Sequence, residues 1–173
     1  MEYIKKYDSK IGTIYMKSDG YYLTGLYFKD SNDEQKHRGK AEYKDLPIFK
    51  KTEEWLDTYL SGKEPDFIPK YKIANLTPFR KRVIDIMNKI PFGKTITYND
   101  IAKEIANDMG IEKMSSQAVG GAVGWNPICI IIPCHRVIGS NGNLTGYGGG
   151  IDNKIKLLEI EGNDISKFTI PKK

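Results

Sequence analysis

The chain has 173 residues but only two cysteines and two histidines, and one of each stands side by side in Ile132-Pro133-Cys134-His135-Arg136-Val137. A thiol attacks as its thiolate, so a reactive cysteine needs a base or a positive field close to it. The apolar run Ile128-Cys129-Ile130-Ile131-Ile132 before the pair reads as a short buried strand. Pro133 cannot donate to a sheet ladder, so the strand should stop there and deliver Cys134 to a surface or pocket. In an extended segment successive side chains point to opposite sides, so Cys134 and His135 should communicate through a water molecule rather than bond directly. The pair alone is equally compatible with an inert buried cysteine beside an incidental histidine, because most free cysteines are core residues. Cys129, inside the apolar run, is expected to be buried and inert.

The elements that must hold this segment fall into two parts, an N-terminal unit over residues 1–72 and a C-terminal unit over residues 73–173. The first reads as a small α/β unit of sheet plus helix. Its N-terminus alternates like a first strand, and Ile11–Ser18 and Tyr21–Lys29 are β-branched and aromatic runs joined by Asp19-Gly20, a two-residue hairpin signal. Residues 30–44 are almost wholly polar and are expected to form a long exposed loop. Asp45 should cap a helix reaching about Leu60, with Ile48, Trp55, Leu56 and Tyr59 on its apolar side. Nothing in this half looks catalytic, and His37, without a cysteine or second histidine near it, is not a metal ligand. Residues 64–75, with Pro65 and Pro69, read as a linker.

The second unit reads as mainly helical, with a helix-turn-helix and the short active-site strand. Thr77-Pro78 opens a helix with a capping threonine and a proline at the first position. Thr97 and Asp100 make a capping-box start for a helix from Tyr98 to about Met109, ended by Gly110. Ser115 or Ser116 can cap the next helix, running to about Val123. A helix, a glycine-containing turn and a second helix make the helix-turn-helix pattern. Gln117, Ala118, Gly120 and Gly121 leave that second helix slim and neutral, with no arginine or lysine to read base edges in the major groove.

The net charge of +5 is unevenly spread: residues 1–77 carry +1 and residues 78–173 carry +4. The half with the cysteine motif is therefore the one suited to an acidic partner such as a nucleic-acid backbone. No apolar stretch approaches membrane-spanning length, and the charged N-terminus is unlike a signal peptide. Two cysteines five residues apart make no disulfide framework. A reduced, cytoplasmic monomer is expected, with no metal and no obligatory protein partner.

Gly120-Gly121-Ala122-Val123-Gly124-Trp125-Asn126-Pro127 precedes the cysteine segment and Leu144-Thr145-Gly146-Tyr147-Gly148-Gly149-Gly150 follows it. Pro91, Gly93 and Tyr98 form a Pro-x-Gly-x-x-x-x-Tyr segment, and Lys154 to Gly162 reads Lys-x-x-Leu-Leu-x-x-Glu-Gly. In this order, from about Thr77 to Gly162, the chain resembles the O6-alkylguanine-DNA alkyltransferases (methylated-DNA–protein-cysteine methyltransferases). The resemblance implies direct reversal of DNA damage. The alkyl group of O6-alkylguanine in double-stranded DNA would pass to Cys134, irreversibly and once per molecule, without a cofactor. His135 would be the base, Glu161 its orienting partner, and Tyr98 a donor to the leaving base that also assists its rotation. Tyr147 would wall the base pocket, the N–H of Gly148 would face O6, and the carbonyls of Cys134 and Val137 would meet the guanine amino group. Asn126 would tie the recognition helix to the cysteine segment. The second helix, through Gln117, Ala118, Gly120 and Gly121, would lie in the minor groove and help extrude the base. Many relatives carry an arginine where this chain has Gln117, so extrusion here should lean more on Tyr98 and the pocket. No chemistry is assigned to Arg136.

Three other readings compete. A damage-recognition module without chemistry would lack the cysteine, which is present. A Cys–His thiol hydrolase gives no reason for the helix-turn-helix. A transcription regulator would need more base-edge chemistry than the neutral helix offers.

Overall fold

The computed structural model describes residues 1–170. Strands β1 (Tyr3–Ser9), β2 (Gly12–Ser18) and β3 (Leu23–Phe28) form an antiparallel meander, and β4 (Glu42–Tyr43) adds parallel to β1, giving the order β3-β2-β1-β4. Strand alternation sorts the side chains. Ile14, Met16, Leu26 and Phe28 enter the main core, while Tyr15 and Tyr27 join Ile4 in a smaller cluster. The expected two-residue hairpin is a four-residue loop, because Ser18 pairs with Leu23 and the register shifts at Lys17/Ser18. Asp19 Oδ1 closes that loop by accepting the N–H groups of Tyr21 and Tyr22 at 2.9 and 2.8 Å.

Residues 30–44 are not a loop. They contain helix α1 (Asn32–His37) as well as β4. Ser31 caps α1 by accepting the Glu34 N–H at 3.1 Å, a local signal that the polarity of the stretch hides. Helix α2 (Pro47–Leu60) is where it was expected, but its cap is not Asp45. Leu46 occupies the N-cap with no side-chain bond, Pro47 sits in the first turn, and Asp45 pairs with Lys5 at 2.9 Å. Ile48, Trp55, Leu56 and Tyr59 are buried together as the helical spacing requires. The proline-containing linker is not free either: Lys70 and Lys72 hydrogen-bond on either side of Leu23, both at 2.9 Å.

The C-terminal half holds α3 (Pro78–Met87), α4 (Tyr98–Met109), α5 (Ser116–Trp125) and α6 (Ile151–Ile160). Between them β5 (Ile96–Thr97) pairs parallel to β6 (Val137–Ile138). Thr77 caps α3, and Thr97 with Asp100 makes a complete capping box on α4. Gly110, at φ 66°, ends α4 in the left-handed conformation that favours glycine. Ser115 caps α5, which packs against α3 and α4. One apolar core runs through both halves, joining Leu26, Tyr59, Val83, Ile101, Val123, Ile128 and Leu157. No helix among the described residues is long and apolar enough to cross a membrane.

Candidate active site

The segment before Cys134 is buried, as its composition requires, but it is a turn rather than a strand. Ile128 alone bridges to Leu26 of β3. Leu26 donates to Pro127 O and Cys129 donates back to Leu26 O, both at 2.9 Å. The backbone then folds on itself, with Ile131 N–H to Cys129 O at 2.8 Å and Ile132 N–H to Ile128 O at 3.1 Å. Ile130 takes φ 71°, an uncommon conformation for a β-branched residue and one that persists only where the surroundings enforce it. Asn126 enforces it in part: its Nδ2 donates to Ile132 O at 2.9 Å and its Oδ1 accepts from the Ile128 N–H at 3.0 Å. The asparagine thus clamps both ends of the turn to the end of α5.

Cys134, His135 and Arg136 form one turn of 3-10 helix, so they are not extended and the opposite-sides argument does not apply. His135 is fully buried, with Nε2 2.6 Å from Glu161 Oε2. Glu161 caps the end of α6 rather than lying within it. Its carboxylate also accepts from Arg136 Nε at 2.8 Å, Arg136 Nη2 at 3.1 Å, Tyr59 O–H at 2.6 Å and Gly93 N–H at 2.9 Å. Burial pushes Glu161 up, but the bonds from His135 and Arg136 outweigh it and hold the carboxyl at about 2. Burial lowers the proton affinity of His135 despite Glu161. The imidazole is therefore neutral, with Nε2–H directed to Glu161, and Nδ1 is left as a buried acceptor without a protein partner.

Cys134 is 6% exposed. Interaction with the Cys129 thiol lowers its pKa, against burial and the Asp33 charge, with further help from the Asn126 side chain and the charge of Lys154. Lys154 is itself buried on α6 and drops to about 8 through burial. Its ammonium donates to Val137 O at 2.6 Å and Thr145 O at 3.2 Å, tying the segment after the cysteine to the glycine-rich loop. Tyr147 is buried with its hydroxyl unpartnered. Tyr98, at the start of α4, donates to Thr145 O at 3.2 Å, and burial raises it to about 12. Gln117 and Ala118 are exposed on α5. Gln117 and Gly120 join Tyr98, Ser140, Thr145 and Gly146 around an open groove of about 400 Å³, while Gly121 faces solvent outside it.

Cys134, His135, Glu161, Asn126, Val137 and Tyr147 thus converge, with Tyr98 and Gly148 on the elements beside them. Four residues at the site were not anticipated from the sequence. Arg136 clamps Glu161 and also donates from Nη1 to Ile90 O at 2.7 Å. Lys154 could have been suspected as a lysine three and four residues before Leu157 and Leu158, on the buried face of α6. Tyr59 and Asp33 come from the N-terminal half and carry no local signal. Cys129 is buried as expected, but its Sγ lies 3.0 Å from Asp33 Oδ2, so it is not isolated.

Two family models match the chain. Residues 3–68 fit the ribonuclease-like domain of 6-O-methylguanine DNA methyltransferase, and residues 78–163 fit its DNA binding domain. A methylated-DNA–protein-cysteine methyltransferase of Mycobacterium leprae is 34% identical, over 95% of this chain and 95% of its own. One of Methanosarcina acetivorans is 38% identical, over 93% of this chain and 99% of its own. Among solved structures, the Mycobacterium tuberculosis OGT in complex with DNA superposes with a TM-score of 0.78 at 36% identity, covering 96% of this chain and 94% of the other.

Proposed function

The chain belongs to the 6-O-methylguanine DNA methyltransferase family, and from that premise we propose that it repairs DNA by moving the alkyl group of O6-alkylguanine to Cys134, once per molecule. The observation that carries the assignment to Cys134 is the buried His135–Glu161 pair, which leaves Nδ1 as an acceptor one residue from a thiol of lowered pKa. One water molecule relays the thiol proton to Nδ1. The Cys134 sulfur then attacks the alkyl carbon. A sulfur–carbon bond forms, the carbon–O6 bond breaks, and its electron pair stays on the guanine. Tyr98 supplies a hydrogen bond to the leaving base, and the proton lost by the thiol balances the one the guanine gains. Nothing here cleaves a thioether, so the reaction ends there.

The base must leave the duplex to reach a thiol that is 6% exposed, at a cost of a few kcal/mol of stacking and pairing. The slim face of α5 at Gln117, Ala118, Gly120 and Gly121 suits a close approach to the minor groove. The adjoining groove, bordered by Tyr98 and Gly146, is where the extruded nucleotide enters. Intact-protein mass spectrometry after incubation with a duplex carrying one O6-methylguanine tests the proposal. The expected result is a stoichiometric gain of one methylene mass, mapped to Cys134 and absent from Cys134→Ser. Lesion binding without a mass gain would mean recognition without repair.

A further inference from the structure

Arg136 follows His135 directly, its side chain is 11% exposed, and each of its three nitrogens is bonded. Nε meets Glu161 Oε1 at 2.8 Å, Nη2 meets Oε2 at 3.1 Å, and Nη1 meets Ile90 O at 2.7 Å. A planar guanidinium makes such a two-point grip on a carboxylate, and an ammonium does not. Ile90 leads into the Pro-x-Gly motif at Pro91 and Gly93, and that motif serves the same carboxylate. The Phe92 ring centre lies 5.7 Å from the guanidinium carbon, and the Gly93 N–H donates to Glu161 Oε1 at 2.9 Å. Gly93 sits at φ 83°, where a Cβ would come within 3.1 Å of Glu161 O, so glycine suits both the conformation and the approach. Residues 90–93 thus hold the arginine by a carbonyl and the glutamate by an N–H.

With the Tyr59 O–H and His135 Nε2 added, Glu161 faces five donors among the described residues. A carboxylate offers about four lone-pair directions, which leaves none for a proton of its own. Of the five donors, only the two from Arg136 carry a permanent full charge, and that charge balances Glu161. A proton added to His135 at rest would then be a further positive charge without a counter-charge, at a fully buried position. Resting on the reading that Cys134 is the acceptor, we propose that Arg136 is a positioning residue for the reaction: it takes up the charge of Glu161, so that the carboxylate orients the His135 ring without drawing a second proton onto it. Nδ1 then stays open for the thiol proton, which arrives together with the negative charge left on sulfur and so brings its own counter-charge. The groups that face His135 are Cys134 and Arg136 on either side of it, Tyr59 of α2, Lys154 of α6 and Glu161 at the end of α6. Glu161 favours a charge on the ring, and Arg136 and Lys154 oppose it.

The chain has two histidines, so nitrogen-15 NMR of the imidazoles, with His37→Gln to assign the other signal, reads the tautomer and the titration midpoint of His135. The wild type should show a neutral ring with Nε2–H at pH 7. An imidazolium there, or a ring with Nδ1–H, would overturn the proposal without any further variant. Arg136→Met should raise the midpoint by about one pH unit, roughly a tenfold gain in proton affinity. The acidic limb of the single-turnover methyl-transfer rate should move up in pH with it. Arg136→Gln, neutral but still a donor, should shift both in the same way. Arg136→Lys keeps the charge and loses the two-point grip, so the midpoint should stay near that of the wild type while the rate falls severalfold at every pH. If folded Arg136→Met or Arg136→Gln slows transfer equally at every pH and leaves the midpoint in place, Arg136 supports the site by packing alone. The imidazole measurement needs no DNA, so it holds or fails apart from the acceptor assignment, which methyl transfer persisting in Cys134→Ser would overturn by itself.

Discussion

Glu161 is the point on which the polar side of the site converges, and its environment makes it, with His135, a source of acid sensitivity. Its carboxyl is held at about 2 against an ordinary 4.5. The folded state therefore binds fewer protons than the unfolded state in that interval, and the stabilisation is complete above 4.5 and lost as pH falls toward 2. His135 acts in the same direction at higher pH. Its folded pKa lies below the ordinary 6.5, so unfolded chains take up a proton first and stability begins to decline as pH drops through that value. Glu161→Gln should abolish the lower of these two slopes. At neutral pH it should cost on the order of 3 kcal/mol, because Arg136 keeps a charge without its partner. Urea unfolding between pH 7 and pH 3 reads both effects, and an unchanged low-pH slope in the variant would assign the acid sensitivity to another carboxylate. The methyl-transfer rate should fall as well, since a neutral amide, with one acceptor oxygen shared between His135 and Arg136, fixes the imidazole tautomer less firmly than the carboxylate.

At the scale of elements, the helix starts around the site show how local chemistry fixes a functional side chain. The capping box at Thr97 and Asp100 sets the first turn of α4, and Tyr98 is the first residue of that turn. Thr97→Ala should lower stability by about 1 kcal/mol and slow transfer by loosening Tyr98. Thermal unfolding beside single-turnover rates checks the pair of effects, and a lost cap with an unaltered rate would separate Tyr98 from the reaction. Such caps were legible in the sequence because their partners lie three residues apart: Thr77 and Thr97 stand where the residue types placed them, Ser115 is one of the two serines the sequence offered, and Gly110 ends α4 as a glycine in the left-handed conformation. Ile128–Ile132 was misread because burial selects apolar residues without choosing their backbone, and a buried turn pinned by Asn126 has the composition of a strand. Helix α1 is not legible because all six of its residues are polar and short helices show little periodicity. Cys134, His135, Glu161 and Asn126 could be read from ordered motifs. Tyr59, Asp33 and the Arg136 clamp could not, since each depends on contacts between residues far apart in the chain.

At the scale of the whole molecule, those distant contacts tie the N-terminal half to the candidate site. The main core is continuous across both halves, and buried polar side chains cross with it, among them Asp33 to Cys129 and Tyr59 to Glu161. Helices α1 and α2 of the N-terminal half therefore each bring a polar side chain to the candidate site. Tyr59 separates support from chemistry cleanly. Its ring stacks on Trp55 at 5.2 Å and 7° and meets Phe92 edge-on at 5.9 Å, contacts that phenylalanine reproduces. Tyr59→Phe should keep the fold, lose about 1–2 kcal/mol with the hydroxyl's bond to Glu161 and its 3.3 Å contact with His135 Nε2, and slow methyl transfer severalfold by leaving His135 less firmly placed. Tyr59→Ala should lose about 3–5 kcal/mol, because it also empties part of the core. Stability from urea unfolding, set against single-turnover rates for both variants, distinguishes the contributions. If Tyr59→Phe matched the wild type in rate while Tyr59→Ala was merely unstable, α2 would support the site by packing alone. A rate deficit in Tyr59→Phe beyond its small stability loss would instead make the hydroxyl from the N-terminal half part of the machinery that orients the base.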